Sequence, residues 1–327
     1  MLWLLPVSVA VNIGFALVFT DSSELLRIQS FTPGFFILAA VLRLIPWFTK
    51  SLRLHNWMKF LKHPFSFWDG VRISMMSELG AAVSPTAIGG EPVKTGMLYQ
   101  RGVSFGESAS LTSIAAAEDL TFYILGLPVA IWLSAAWEIG RIQAFLQRSM
   151  GSLGGILLVT GIALAAVIIL WIAIREAGFL AGLRKRIRDF WNEFRNLYFS
   201  MVRRGKIRFA VNVLLSAVHW GARYSVVTAL VLSLGYEVDA VRFFVLQWVV
   251  FTVMSVIPTP GATGGAEGVF LLVFGAVLPE DALGTILIGW RFLDFYFLSI
   301  LALLALGIDT LFQKFFNKSG MLPNDGS

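Results

Sequence analysis

Long, unbroken apolar blocks are what most limit how this chain can fold. They cover residues 1–20, 35–48, 68–83, 108–137, 151–174, 210–234, 240–257, 269–278 and 282–308, with charged stretches between them. A helix needs about 20 apolar residues to cross a hydrocarbon core of roughly 30 Å, and several of these blocks meet that length. Their residues do not alternate, which argues against a transmembrane β-barrel. Of the 327 residues, 57% are hydrophobic and 14% charged. That balance excludes an ordinary soluble enzyme and an intrinsically disordered chain. There is no cysteine, so disulfide and thiolate chemistry are excluded as well. The expected fold class is an all-α polytopic integral membrane protein.

The charges between the blocks set orientation. The block at 1–20 has no basic start and no small-residue cleavage site, so it is read as a retained helix rather than a signal peptide. Two basic stretches follow, one with Lys50, Arg53, Lys59 and Lys62, the other running from Arg175 to Arg208. Both are expected on the cytoplasmic side. In the second, Leu183, Ile187, Phe190, Trp191, Phe194 and Leu197 recur at helical spacing, which predicts an amphipathic helix on an anionic membrane surface. Two full spans, 108–137 and 151–174, lie between the basic stretches, so residues 68–101 must start and end in the cytoplasm. Residues 93–100 supply only about eight positions, far too few to cross. Residues 68–101 are therefore expected to be re-entrant. The same logic applies to 240–278 from the opposite side, although 240–257 is long enough to span fully and both readings stand. The expected organisation is a helix and loop at 1–33 and a first repeat at 34–150. A helix and basic linker follow at 151–208, then a second repeat at 209–310 and a cytoplasmic tail at 311–327.

The two breaks resemble one another. The first holds Pro85, Gly89, Gly90 and Glu91; the second holds Pro258, Pro260, Gly264, Gly265 and Glu267. Proline removes a backbone donor and glycine frees φ, so neither stretch continues a helix. Beyond the breaks the chain matches itself at an offset of 173 residues: Gly102 on Gly275, Glu107 on Glu280, Ala109 on Ala282, Thr112 on Thr285, and Phe122-Tyr123 on Phe295-Tyr296. With the topology above, the copies are inserted upside down relative to each other. Inverted repeats with broken helices are a transporter architecture.

Several charges fall inside apolar blocks, where each costs about 2.5–3.5 kcal/mol at the bilayer centre on insertion scales. These are Arg43, Glu118, Asp119, Arg223, Arg291 and Asp294, with Glu91, Lys94 and Glu267 just after the breaks. Glu118 and Arg291 occupy equivalent repeat positions and are expected to pair across the pseudo-two-fold. Arg43, Arg223 and Arg291 would supply positive charge to a polar midplane cavity, held by Glu91, Glu118, Glu267 and Asp294, while Gly89, Gly90, Gly264 and Gly265 would expose backbone donors. Arginines in a low-dielectric site favour phosphate. Gly90-Glu91-Pro92-Val93-Lys94-Thr95 lacks the glycine before lysine that a phosphate-binding nucleotide loop needs. His55, His63 and His219 are scattered, so no metal site is expected. No nucleophile–base arrangement is visible; the chain is not expected to be an enzyme or to need a cofactor, and nucleic acid is not an expected partner.

The break at 85–94, the Gly102–Ala109 run and the Pro258–Gly268 run resemble the flippase-like transmembrane domain family, named for the transmembrane region of lysylphosphatidylglycerol synthases. The resemblance covers about residues 34–310, with Gly89, Gly90, Glu91, Lys94, Glu118, Gly264, Gly265, Glu267 and Arg291 at matching positions. Asp119 stands where the family pattern has arginine, and Phe122 where it has aspartate, so this helix is more negative than the pattern. The resemblance implies a protein of the inner (cytoplasmic) membrane that moves or binds a lipid. No segment is long enough for the soluble synthase domain of two-domain members, so aminoacyl transfer is not expected. The function expected is translocation of an anionic phospholipid or polyprenyl-phosphate lipid. The alternatives are a proton- or ion-coupled small-molecule transporter and a non-transporting scaffold for a lipid-modifying glycosyltransferase.

Overall fold

A computed structural model describes residues 31–82, 90–134, 181–254, 265–305 and 307. The expected helix at 1–20, the span at 151–174, the tail, and Gly89 and Gly264 of the two breaks lie outside the described residues. Among the described residues all regular structure is helical. The elements are α1 (Pro33–Phe60), α2 (Phe67–Ala82), α3 (Gly90–Tyr99), α4 (Phe105–Ser134), α5 (Ala181–Arg204), α6 (Lys206–Tyr224), α7 (Val226–Ser233), α8 (Ala240–Met254), α9 (Gly265–Phe274) and α10 (Glu280–Arg291). A π-helical turn, Phe292–Phe297, follows α10.

Local chemistry explains the boundaries. α1 opens with proline, whose missing N–H is no loss in a first turn. It ends where Lys62 takes φ +63°, a left-handed conformation unusual for a residue other than glycine. Ser66 and Asp69 cap each other's backbone N–H groups at the start of α2, and Ser104 and Glu107 do the same for α4. The basic stretch after residue 48 belongs to α1 itself, and Arg53 is buried. The apolar block 210–234 breaks at Ser225 into α6 and α7. α5 turns Met201 inward and leaves Phe190, Trp191 and Phe199 exposed beside Lys185, Arg188, Arg195, Arg203 and Arg204. Helices Pro33–Phe60 and Asp281–Ala305 are long and apolar enough to cross a membrane.

α1 is the central strut. It packs on α2, α6 and α7, and touches α4 and the π-helical turn. Its second half joins a core with α2, α3 and α4 that includes Trp57, Met58, Ile73, Leu98 and Ile114. Ala39, from its first half, joins the larger core of α6–α10, built around Tyr224, Trp248, Phe270 and Trp290. α2 packs on α3, and α8 on α9. At Gly90 a Cβ would lie 2.8 Å from the carbonyl oxygen of Ser77, so the α2–α3 approach requires glycine there.

The offset of 173 extends to local geometry. α1 maps onto α6 plus α7, and α2, α3 and α4 map onto α8, α9 and α10 to within a few residues at each start. Lys62 maps onto Gly235, which also has positive φ. The N-cap Ser66 maps onto Asp239, whose carboxylate accepts from the N–H groups of Val241 and Arg242. His63 Nε2 lies 3.0 Å from Glu107, tying the end of α1 to the start of α4. Its counterpart Tyr236 donates to Asp281 at 3.3 Å, tying the end of α7 to α10.

Candidate functional site

Three polar assemblies lie within this apolar frame. The first is a chain of alternating charge centred on Arg43, which is 1% exposed. Arg43 Nε is 2.7 Å from Asp294, and its Nη2 is 3.0 Å from Glu78. Lys50 flanks Glu78 at 3.6 Å, and Arg223 flanks Asp294 at 3.4 Å. The order is Lys50, Glu78, Arg43, Asp294, Arg223: three cations against two anions. Asp294 lies in the π-helical turn, where its backbone oxygen accepts from Arg43 Nη2 at 3.2 Å. Such a turn displaces the backbone ladder and is often found where a protein does something besides pack. Arg223 also lies over Phe251, 4.3 Å from the ring centre. Arg43 Nη1 is buried with no hydrogen-bond partner.

The second assembly surrounds Glu118, which is fully buried. Arg53 Nε donates to it at 2.9 Å, Trp57 Nε1 at 2.7 Å and Asn212 Nδ2 at 2.9 Å. The same guanidinium reaches Asp119 at 2.8 Å and the carbonyl oxygen of Ala115 at 2.8 Å. Glu118 and Asp119 belong to a cavity of about 150 Å³, also lined by Lys50, Arg53, Ser74, Ser77, Glu91 and Lys94. Lys94 is 3.3 Å from both Glu91 and Thr112, and Thr112 donates to Glu91 at 2.9 Å, joining α3 to α4. Three cations and three carboxylates therefore share one small space. A cavity of this volume has room for a small polar group such as a phosphate. The third assembly is a buried pair, Arg291 Nε to Glu267 Oε1 at 2.6 Å.

Of the residues singled out from sequence, Arg43, Arg223 and Asp294 come together, as do Glu91, Lys94 and Glu118. Gly90 begins α3 and Gly265 begins α9. The pairing expected between Glu118 and Arg291 is not found: Glu118 takes Arg53, and Arg291 takes Glu267. Glu118 and Glu267 are each met by a cation within their own half of the chain, whereas Asp294 is met by Arg43 across the halves. Lys50, Arg53, Glu78, Trp57 and Asn212 were not anticipated as site residues. Glu78 carried a signal, as a lone acid in an apolar stretch. Arg53 did not, because it continues a run of surface-like basic residues and only the rotation of α1 turns it inward.

An all-helical frame of this apolarity, with charges paired inside it, defines an integral membrane protein. The chain matches the family described as the lysylphosphatidylglycerol synthase TM region over residues 3–302, and it belongs to that family. It is also similar to a protein of Archaeoglobus fulgidus named "UPF0104 membrane protein", 25% identical over 278 residues, covering 80% of this chain and 82% of that relative.

Proposed function

We propose that this protein carries a lipid across the cytoplasmic membrane, its phosphate-bearing head group passing through the polar cavity while its tails stay in the bilayer. The observation that carries this reading is the convergence of Lys50, Arg53 and Lys94 on one cavity, with Arg53 buried and Lys50 adjoining the Arg43 chain. Buried cations cost free energy and persist where paired or where they serve a polar ligand. The carboxylates around them hold the cations charged and spaced when the head group is absent. Membrane family membership agrees with a flippase-like role. In this reading no side chain has a catalytic task.

The transport path rests on two inverted copies with re-entrant hairpins. α3 and α9 have ten residues each, about 15 Å at 1.5 Å per residue, half of the hydrocarbon core. Arg101, just after α3, reaches Asp69 in the first turn of α2 at 2.9 Å, so both ends of that hairpin lie together. The basic face of α5 and its exposed aromatics suit the cytoplasmic lipid surface.

The test is translocation in proteoliposomes, read by dithionite quenching of head-group-labelled phosphatidylglycerol, with labelled phosphatidylethanolamine beside it. Wild type should expose the protected lipid quickly. Arg43→Ala and Lys94→Ala should abolish this while folded yield, by size exclusion, stays measurable. No exposure of either lipid by well-folded wild type would sink the reading.

A further inference from the structure

The 173-residue offset, applied to the polar lining of the cavity, picks out a second set of residues. Lys50 falls on Arg223, Ser74 on Gln247, Lys94 on Glu267 and Glu118 on Arg291. Four of the eight polar lining residues thus have polar counterparts, while Arg53, Ser77, Glu91 and Asp119 fall on Val226, Val250, Gly264 and Phe292; at Lys94 and Glu118 the signs of the charges are exchanged. In the first set the two charges stand apart: Lys94 engages Glu91 and Thr112, Glu118 engages Arg53, and both line the cavity. In the second set they are in contact at 2.6 Å, both buried.

Gln247 adds an independent observation. Its side chain is fully buried in α8, and neither amide atom has a hydrogen-bond partner. A buried amide with nothing to bond is rare in folded proteins and calls for an explanation. Packing does not supply one, since any apolar residue of that size would fill the space without leaving two polar atoms unmet. A polar ligand or water reaching Gln247 in another conformation would.

We propose that Arg223, Gln247, Glu267 and Arg291 form a second polar site, for the phosphate head group of a lipid, which the Glu267–Arg291 ion pair holds shut in this structure. It opens as the first cavity closes, and Lys94 and Glu118 then meet as Glu267 and Arg291 do here. This inference rests on the lipid-carrier reading. The exchange breaks the buried Glu267–Arg291 pair and makes Lys94–Glu118, while Arg53, released by Glu118, keeps Asp119, and Glu91, released by Lys94, keeps Thr112. Arg223 and Arg291 supply the cations, and Gln247 supplies both a donor and an acceptor. The lysine–glutamate and glutamate–arginine pairs act as opposed latches.

The absence of native cysteine makes the test direct. Gln247→Cys and Ser74→Cys are made separately and labelled in phosphatidylcholine liposomes with a membrane-impermeant methanethiosulfonate reagent. Each is also made with Glu267→Gln and Arg291→Gln together, a double change that removes the latch without stranding a charge. Unlatching should raise labelling of Gln247→Cys by about tenfold or more, and lower that of Ser74→Cys by a comparable factor. Replacing phosphatidylcholine with the anionic phosphatidylglycerol should slow labelling of Gln247→Cys opened by Glu267→Gln alone, in which both Arg223 and Arg291 remain. Equal protection of Gln247→Cys with and without the latch, in folded protein, overturns the second site. So does a rise without a matching fall at Ser74→Cys, or indifference to the lipid. Reciprocal labelling in a protein that moves no lipid would overturn the carrier reading and keep the site; lipid movement with Gln247→Cys always protected would do the reverse.

Discussion

Arg53→Met is the sharpest test of how the buried charges are held. Arg53 is 5% exposed and meets both Glu118 and Asp119 at under 3 Å. Methionine keeps much of the unbranched stem and removes the charge. Glu118, fully buried, then keeps its bonds from Trp57 and Asn212 but loses its countercharge. Removing one member of a buried ion pair costs about 3–5 kcal/mol, because the other charge stays desolvated. At roughly 2–4 °C per kcal/mol for mid-sized domains, that is a drop of about 10 °C in the unfolding midpoint. Glu118→Gln in the same protein removes the stranded charge and keeps an acceptor for Trp57 and Asn212. The double variant should therefore return to within about 1–2 kcal/mol of wild type, since replacing a whole buried pair is often near neutral. Thermal unfolding in detergent of wild type, both single variants and the double variant closes the cycle. A coupling near zero, with the double change as damaging as the sum of the singles, would refute the reasoning. The restored double variant should still fail to move lipid, because the cavity has lost a cation.

Other expectations follow from particular contacts. Arg43→Ala should lower stability more than Lys50→Ala, since Arg43 is buried between Glu78 and Asp294 whereas the Lys50 side chain is 39% exposed; unfolding midpoints compare them. Gly205→Ala should destabilise by about 1–3 kcal/mol, the usual range for overpacking, because its Cβ would lie 2.6 Å from the Trp57 ring and 2.5 Å from the carbonyl oxygen of Met201; a wild-type melting curve would contradict this. A single cysteine at Phe105, an exposed position at the start of α4, should react with an impermeant thiol reagent only from the cytoplasmic side, and labelling from outside would contradict the first re-entrant hairpin. A polarity-sensitive dye on Phe199→Cys should shift further to the blue in phosphatidylglycerol than in phosphatidylcholine nanodiscs, and equal spectra would detach α5 from the anionic surface.

Much of the architecture is legible in the residues because lipid leaves the backbone few options. Apolar run length dictates helices, since every N–H and C=O must be met within the segment. The Ser66/Asp69 and Ser104/Glu107 caps and Pro33 mark helix starts by rules that act over three or four residues. The offset of 173 shows in the sequence through scattered identities, and the structure carries the same spacing into caps and left-handed turns that no identity marks, such as Ser66 with Asp239 and Lys62 with Gly235. Arg43, Glu118, Arg223, Arg291 and Asp294 are conspicuous because charge inside an apolar run is costly whatever the fold.

Which charge meets which was decided by tertiary structure alone. A carboxylate at a given depth can be satisfied by any cation that reaches it, and reach depends on helix rotation and crossing, which residue type does not encode. Arg53 looks like one more basic residue at the end of α1 until packing against α4 and α6 turns it onto Glu118. Glu78 looks like a polar blemish in a weak block until α2 lies against α1 and brings it to Arg43. Glu118 and Arg291 share a place in the repeat, yet each is claimed by a nearer partner. The sequence by itself determines the helices, their apolar faces and the cost of every buried charge; only the packed structure determines how that cost is offset.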